Sequence, residues 1–174
     1  MPVTRRHLGG IALGALAGSQ WSGSAMAAEP LLLEEFFRHP TRGEGAFVSD
    51  LFDVRRELTV DTTGTWDGRT LILTERIAYA DGARETAIWR FDKTGPASYD
   101  GQRTGVTGVV PVKVRDGRIE MGYVGEVRGT DGKPMKLRFF DILEKTDKRT
   151  VVNRARVSFL GIPVGRVEIT FTRV

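Results

Sequence analysis

From Thr41 to the C-terminus, apolar side chains recur at every second position over short runs, with polar residues between them. Leu71, Leu73, Ile77 and Tyr79 share one face of TLILTERIAY, and Val110, Val112 and Val114 share one face of VPVKV. A period of two marks half-buried strands, and helical periodicity is nearly absent after Phe37. With turn signals at intervals of about fifteen residues, the pattern predicts a simple meander of about eight to ten antiparallel strands, an all-β barrel or sandwich. Ahead of the strands, LLLEEFFRHP has room for two helical turns before Pro40, with Phe36 and Phe37 as its buried face. A segment this short is not a stable helix alone. In an up-and-down barrel it would close one mouth.

The turns fix which side chains share a face, because loop length sets register. Asp-Gly occurs five times, at Asp67, Asp81, Asp100, Asp116 and Asp131. As two-residue loops, Asp67-Gly68 sets Leu58, Val60 and Thr62 opposite Ile77, Glu75 and Leu73. In the same way Asp116-Gly117 sets Val110, Val112 and Val114 opposite Tyr123, Met121 and Ile119. Ala80-Asp81-Gly82 and Thr130-Asp131-Gly132 give matched faces only as three-residue loops with a bulge, placing Leu73 opposite Trp89 and Tyr123 opposite Phe139. Asp100-Gly101 reads as a turn between short strands, and Leu160-Gly161-Ile162 joins the last two.

A strand's inner face should be apolar, so the exceptions carry information. Arg56 interrupts Phe52, Val54, Leu58 and Val60; Glu75 interrupts Leu71, Leu73, Ile77 and Tyr79. Asp141 interrupts Leu137, Phe139 and Leu143, and Asn153 interrupts Val151, Ala155, Val157 and Phe159. A three-residue loop at 146–148 would set Asp141 directly opposite Asn153. Buried charges must be paired, hydrated or met by a ligand. The four residues therefore form either a self-satisfied polar cluster or the polar part of a binding site. In the second case Trp89, Phe91, Tyr123, Phe139, Phe159 and Phe171 supply the lining, and the Arg56 guanidinium suits a carboxylate or phosphate.

Residues 1–27 differ in kind. Two arginines, a weakly apolar Gly/Ala/Leu run and Ala25-Met26-Ala27 predict an export signal cut after Ala27, leaving 28–174 as one domain in the periplasm. Arg5 and Arg6 in TRRHLGG resemble a twin-arginine signal. Cleavage would remove two arginines and no acid, taking the formal charge from +4 to +2, a weak basis for binding nucleic acid. Without cysteine there is no disulfide, thiolate metal site or thiol chemistry. No apolar run reaches the length of a membrane-spanning helix. His7 and His39 are the only histidines, and no cofactor, metal or nucleophile motif appears. Catalytic residues are thus not assigned, although Glu75 with Asp141 would serve as an acid/base pair if they meet. Arg154 and Arg156 in NRARVSF point outward, as a solvated edge or a docking patch.

LLLEEFF, VDTTGTWDGRTLILTERIAYADG, IWRFDKTGPASYDG and VVNRARVSFLGIPVGRVEITF together resemble a family of bacterial envelope proteins of unknown function, many of them small lipoproteins. The resemblance covers nearly all of the mature chain. It implies a lipocalin-like (calycin-type) barrel and an association with enzymes that modify fatty-acyl chains, and it supplies no catalytic residues. This chain departs from the lipoprotein members in lacking the lipobox cysteine, which points to a soluble periplasmic form. Three functions stay open. One is a carrier or sensor of a small hydrophobic or lipid-derived ligand held by Arg56, Glu75, Trp89, Tyr123, Phe139, Asp141 and Asn153. The second is an isomerase or hydrolase on the same barrel, and the third a packed scaffold for an envelope protein partner.

Overall fold

Ten strands realise the meander and close on themselves. The computed structural model describes residues 30–128 and 133–174. The expected leader and the Thr130-Asp131-Gly132 loop lie outside the described residues. A helix α1 (Leu33–Phe37) precedes β1 (Thr41–Ser49), β2 (Val54–Trp66), β3 (Thr70–Tyr79), β4 (Arg84–Gly95) and β5 (Ser98–Arg103). There follow β6 (Val110–Arg115), β7 (Arg118–Arg128), β8 (Pro134–Lys145), β9 (Thr150–Phe159) and β10 (Ile162–Arg173). Each strand pairs with its neighbours in sequence, and β1 pairs with β10 to complete a closed antiparallel barrel. Closure leaves no unpaired edge to recruit another chain.

Most expected registers hold. Val112 opposes Met121, Leu73 opposes Trp89 and Tyr123 opposes Phe139. Two differ. In β2–β3, Glu75 lies opposite Thr62 rather than Val60, because Asp67 pairs with Thr70 and the loop is Gly68-Arg69. Asp67 Oδ1 accepts from the amides of Arg69 (2.8 Å) and Thr70 (2.7 Å), which draws the aspartate into the ladder. In β8–β9, Asp141 opposes Ala155 and Leu143 opposes Asn153. Both slips are by an even count, so every inner face is preserved.

Asp100-Gly101 is a correction: it lies inside β5, not in a turn. Gly101 faces the core there, where an added Cβ would stand 3.3 Å from the Phe91 ring and from the Val110 carbonyl. The chain reverses instead between Gly95 and Ser98, around Pro96. Phe52, expected on the inner face of β2, belongs to the β1–β2 turn and is exposed.

The helix closes one end. Leu31, Leu33, Phe36 and Phe37 are all buried, and the Leu31 amide donates to the Gly117 carbonyl at 3.0 Å. Glu34 turns into the barrel beneath them, where it accepts hydrogen bonds from the Lys93 ammonium and, at 2.5 Å, from the Tyr99 hydroxyl. Burial alone would raise its pKa, but the bonds from Lys93 and Tyr99 hold it below the usual glutamate value. Burial, with the hydrogen bond to Glu34, drives the Tyr99 hydroxyl far above its ordinary value. A carboxylate lowered on folding stabilises above its unfolded pKa, and that gain is lost as pH falls through the folded value. Glu34→Gln should therefore cost about 1.5 kcal/mol at pH 7 and less towards pH 3, read from urea midpoints at both pH values. An unchanged midpoint at pH 7 would show that the plug does not depend on this carboxylate.

Candidate functional site

Above the plug, the packed core of Leu71, Phe91, Ile119 and Leu143 gives way to a cavity of about 150 Å³ in the other half of the barrel. Its walls come largely from alternate positions of β2 to β5 and β7 to β10, as the period-two pattern requires. Leu58, Ile77, Tyr79, Val167, Ile169 and Phe171 form an aliphatic and aromatic side. Opposite them stand Trp89, Tyr123 and Phe139, with Tyr123 edge-on to Trp89 (5.4 Å between centroids) and stacked on Phe139 (5.3 Å).

Polar groups converge on this wall. Arg103 of β5 places Nη2 3.4 Å from Glu75 Oε2 and 3.9 Å from Glu85 Oε1, with its guanidinium carbon 5.7 Å from the Trp89 ring centre. Burial pushes the Glu75 carboxyl upward, and Arg103 only partly offsets it. Asn153 Nδ2 donates to Asp141 Oδ1 at 2.9 Å. Asp141 is only 3% exposed, and burial raises its carboxyl to about 6 against the help of Asn153, Tyr123 and Arg103. Burial, then the charge of Asp141, lifts the Tyr123 hydroxyl well above its ordinary value, so it stays neutral. Asp141 Oδ2 and Asn153 Oδ1 are buried without a hydrogen-bond partner among the described residues. Buried acceptors are rarely left so.

Six of the seven residues singled out from sequence line this one cavity: Glu75, Trp89, Tyr123, Phe139, Asp141 and Asn153. Arg56 stands at its edge. Its guanidinium carbon lies 3.7 Å from the centre of the Tyr79 ring and its Nε 2.8 Å from Asp81 Oδ2. Of the expected lining, Phe171 takes part, while Phe91 stacks behind Trp89 at 4.9 Å in the core. Phe159 is a correction. It ends β9 beside the turn and is 40% exposed, because the alternation outlasts the barrel wall. Outside, Arg154 bonds to Glu144 and Glu168, each at 3.0 Å, and Arg156 lies over the Phe140 ring, so both belong to the wall's own ion-pair and ring contacts.

Sequence reasoning missed Arg103, the principal cation of the site. The signal was present as the alternation Tyr99, Gly101, Arg103, but it shows only once Asp100-Gly101 is taken as strand. Among the described residues, no group of three or more His, Asp or Glu could hold a metal ion, and no helix is long and apolar enough to cross a membrane.

The S-type phycobiliprotein lyase CPES from Guillardia theta has a similar fold, with a TM-score of 0.58 at 10% identity over 83% of this chain and 93% of that one. A de novo designed fluorescence-activating β-barrel aligns with a TM-score of 0.42 at 16% identity, over 83% of this chain and 99% of that one. No curated protein sequence matches. At the level of sequence, the match that spans the barrel from α1 through β10 is to one family over residues 11–173, and the chain belongs to it: the proteins of unknown function DUF3833.

Proposed function

We propose that the protein is a periplasmic lipocalin-like carrier or sensor that holds one end of a small hydrophobic, lipid-derived molecule in its lumen. The observation that carries this reading is the cavity, walled by Trp89, Tyr123, Phe139, Phe171 and aliphatic side chains yet floored by buried acceptors without partners. An apolar cavity on the order of 150 Å³ accepts a molecule the size of benzene. A longer ligand would enter by one end and leave its remainder at the open mouth.

That mouth suits such a molecule. Leu51 and Phe52 in the β1–β2 turn, each 63% exposed, and Leu160 and Ile162 where β9 reverses into β10, 87% and 60% exposed, stand at this end of the barrel, on strands that lie side by side. Clustered exposed apolar residues mark surfaces that meet other apolar matter. The barrel shared with the phycobiliprotein lyase supports the architecture of a small-molecule site. Periplasmic placement follows from the leader read over residues 1–27.

Native mass spectrometry of the protein purified from its own periplasm tests the proposal. The expected spectrum shows a chain beginning at Ala28 with an extractable apolar adduct. A barrel that emerges empty and takes up no medium-chain alcohol, amine or acid on incubation would end the carrier reading.

A second reading, an enzyme on the same cavity, is favoured by one observation: Asp141 combines an unpartnered oxygen with a carboxyl raised to about 6, suited to a general base near neutral pH. Conversion of the extracted adduct by wild type and not by Asp141→Asn would establish it. Equal conversion by both would remove it.

A further inference from the structure

We infer that the ligand enters head first, and that its head is a hydrogen-bond donor, an amine or a hydroxyl, seated on Asp141 Oδ2 and Asn153 Oδ1. This rests on the lumen being a binding site and adds which end of the ligand it takes and of what chemistry.

Depth gives the orientation. β8 runs from Pro134 at the mouth to Lys145 at the plug, so Asp141 lies past its middle. The next inward residue of β8, Leu143, is already part of the packed core with Ile119. The acceptors thus stand at the floor of the cavity, and Tyr79, Val127, Phe139 and Val167 line the way out. A molecule with its polar group on Asp141 has only apolar company for the rest of its length on that side.

Charge gives the chemistry. Glu75 and Glu85 both lean on Arg103, and Arg56, at the rim, is held by Asp81. Among the described residues no ion pair reaches Asp141; its hydrogen bond comes from the neutral Asn153 amide, and the Tyr123 hydroxyl, also neutral, adds a weaker contact to the same carboxyl. An added carboxylate or phosphate head would bring a further anion against Asp141 and Glu75 in a site that excludes water, where like charges repel strongly. An ammonium or hydroxyl supplies what the site lacks. The orientation of Asn153 follows from the same network. Its amide must donate to Asp141 Oδ1, since the reversed amide would set oxygen against oxygen, and so its own Oδ1 is the acceptor left over. Two orphaned acceptors on side chains bonded to each other make one socket for a donor.

Four probes of one size separate the possibilities: benzylamine, benzyl alcohol, toluene and benzoate, titrated calorimetrically at pH 7.5 against the mature chain and against Asp141→Asn. Benzylamine should bind at least about tenfold more tightly than benzoate, and benzyl alcohol more tightly than toluene, because a socket of buried acceptors rejects a head that leaves it unpaired. Asp141→Asn should abolish the preference for the amine while toluene affinity stays within about threefold, since the apolar wall is untouched. Toluene or benzoate binding as tightly as benzylamine would overturn the donor socket and leave the lumen a binding site. Binding of none of the four would overturn the socket and the carrier reading together.

Discussion

Asp141→Asn should make the empty barrel more stable at pH 7.5 by about 3 kcal/mol, a gain that disappears by about pH 4. Asp141 ionises at 3.8 in the open chain and at about 6 in the barrel, because burial penalises its charge and the Asn153 amide, the Tyr123 hydroxyl and the Arg103 charge compensate only in part. A raised carboxyl pKa has a definite sign. Between about pH 4 and 6 the native state holds more protons than the unfolded chain, so the contribution of this residue falls as pH rises through that window. Above it the whole penalty is present. Glu75, also raised by burial, acts in the same direction. Glu34, Asp67, Asp81, Asp92 and Asp147 are all lowered and act oppositely at lower pH. The difference between mutant and wild type removes those shared terms. Urea midpoints at pH 4, 5, 6 and 7.5 should therefore diverge steadily, reaching a rise in Tm of roughly 8 °C at pH 7.5. Asparagine also replaces an orphaned acceptor by a donor beside the orphaned Asn153 Oδ1. A mutant no more stable than wild type at pH 7.5 would mean that Asp141 is already satisfied, and the socket would lose its basis.

A residue expected to destabilise its own fold is the trace a binding site would leave in a sequence, and the inward placement of this one was legible. Period-two alternation by itself places Glu75, Asp141 and Asn153 on inner faces, and parity holds where register does not. What sequence withheld was the state of the turns. Asp116-Gly117 is a two-residue loop with both residues at positive φ; Asp67 joins the ladder and leaves the loop to Gly68-Arg69; Asp100-Gly101 is strand. The dipeptide is the same each time. What differs is the local partner: amides two and three residues on for Asp67, and the Phe91 ring for Gly101. Such partners are set by tertiary packing, which explains why Arg103, two residues past the misread pair, stayed hidden with the partner of Glu75. Arg56 stands at the edge for a related reason: alternation faces it inward, and a long side chain at a barrel rim folds onto Tyr79 and Asp81.

The plug carries the second large effect. Gly64 sits on β2 where α1 crosses it, and a Cβ there would lie 2.0 Å from the Phe37 carbonyl oxygen and 3.3 Å from the Arg38 Cα. Those are backbone atoms, anchored by the buried Phe36 and Phe37 rings, which pack edge-on at 4.9 Å. The chain can neither rotate the obstacle away nor shift it cheaply. Gly64→Ala must therefore strain β2 or lift the helix, and lifting it exposes Leu33, Phe36 and Phe37 at about 1.5–3 kcal/mol each. The smaller of these costs sets the loss, expected at about 3–4 kcal/mol at pH 7 in urea unfolding. Gly68→Ala is the control. Gly68 has φ +98 with nothing within 4 Å of an added Cβ, so it should lose only the roughly 1–2 kcal/mol of a left-handed alanine. If Gly64→Ala released the helix, near-ultraviolet dichroism would also fall, since the contact of Phe37 with Phe171 at 5.6 Å goes with it. Equal losses in the two variants would show that α1 is not seated on β2. The closed end, and with it the one-mouthed cavity on which a head-first ligand depends, would then have to be abandoned.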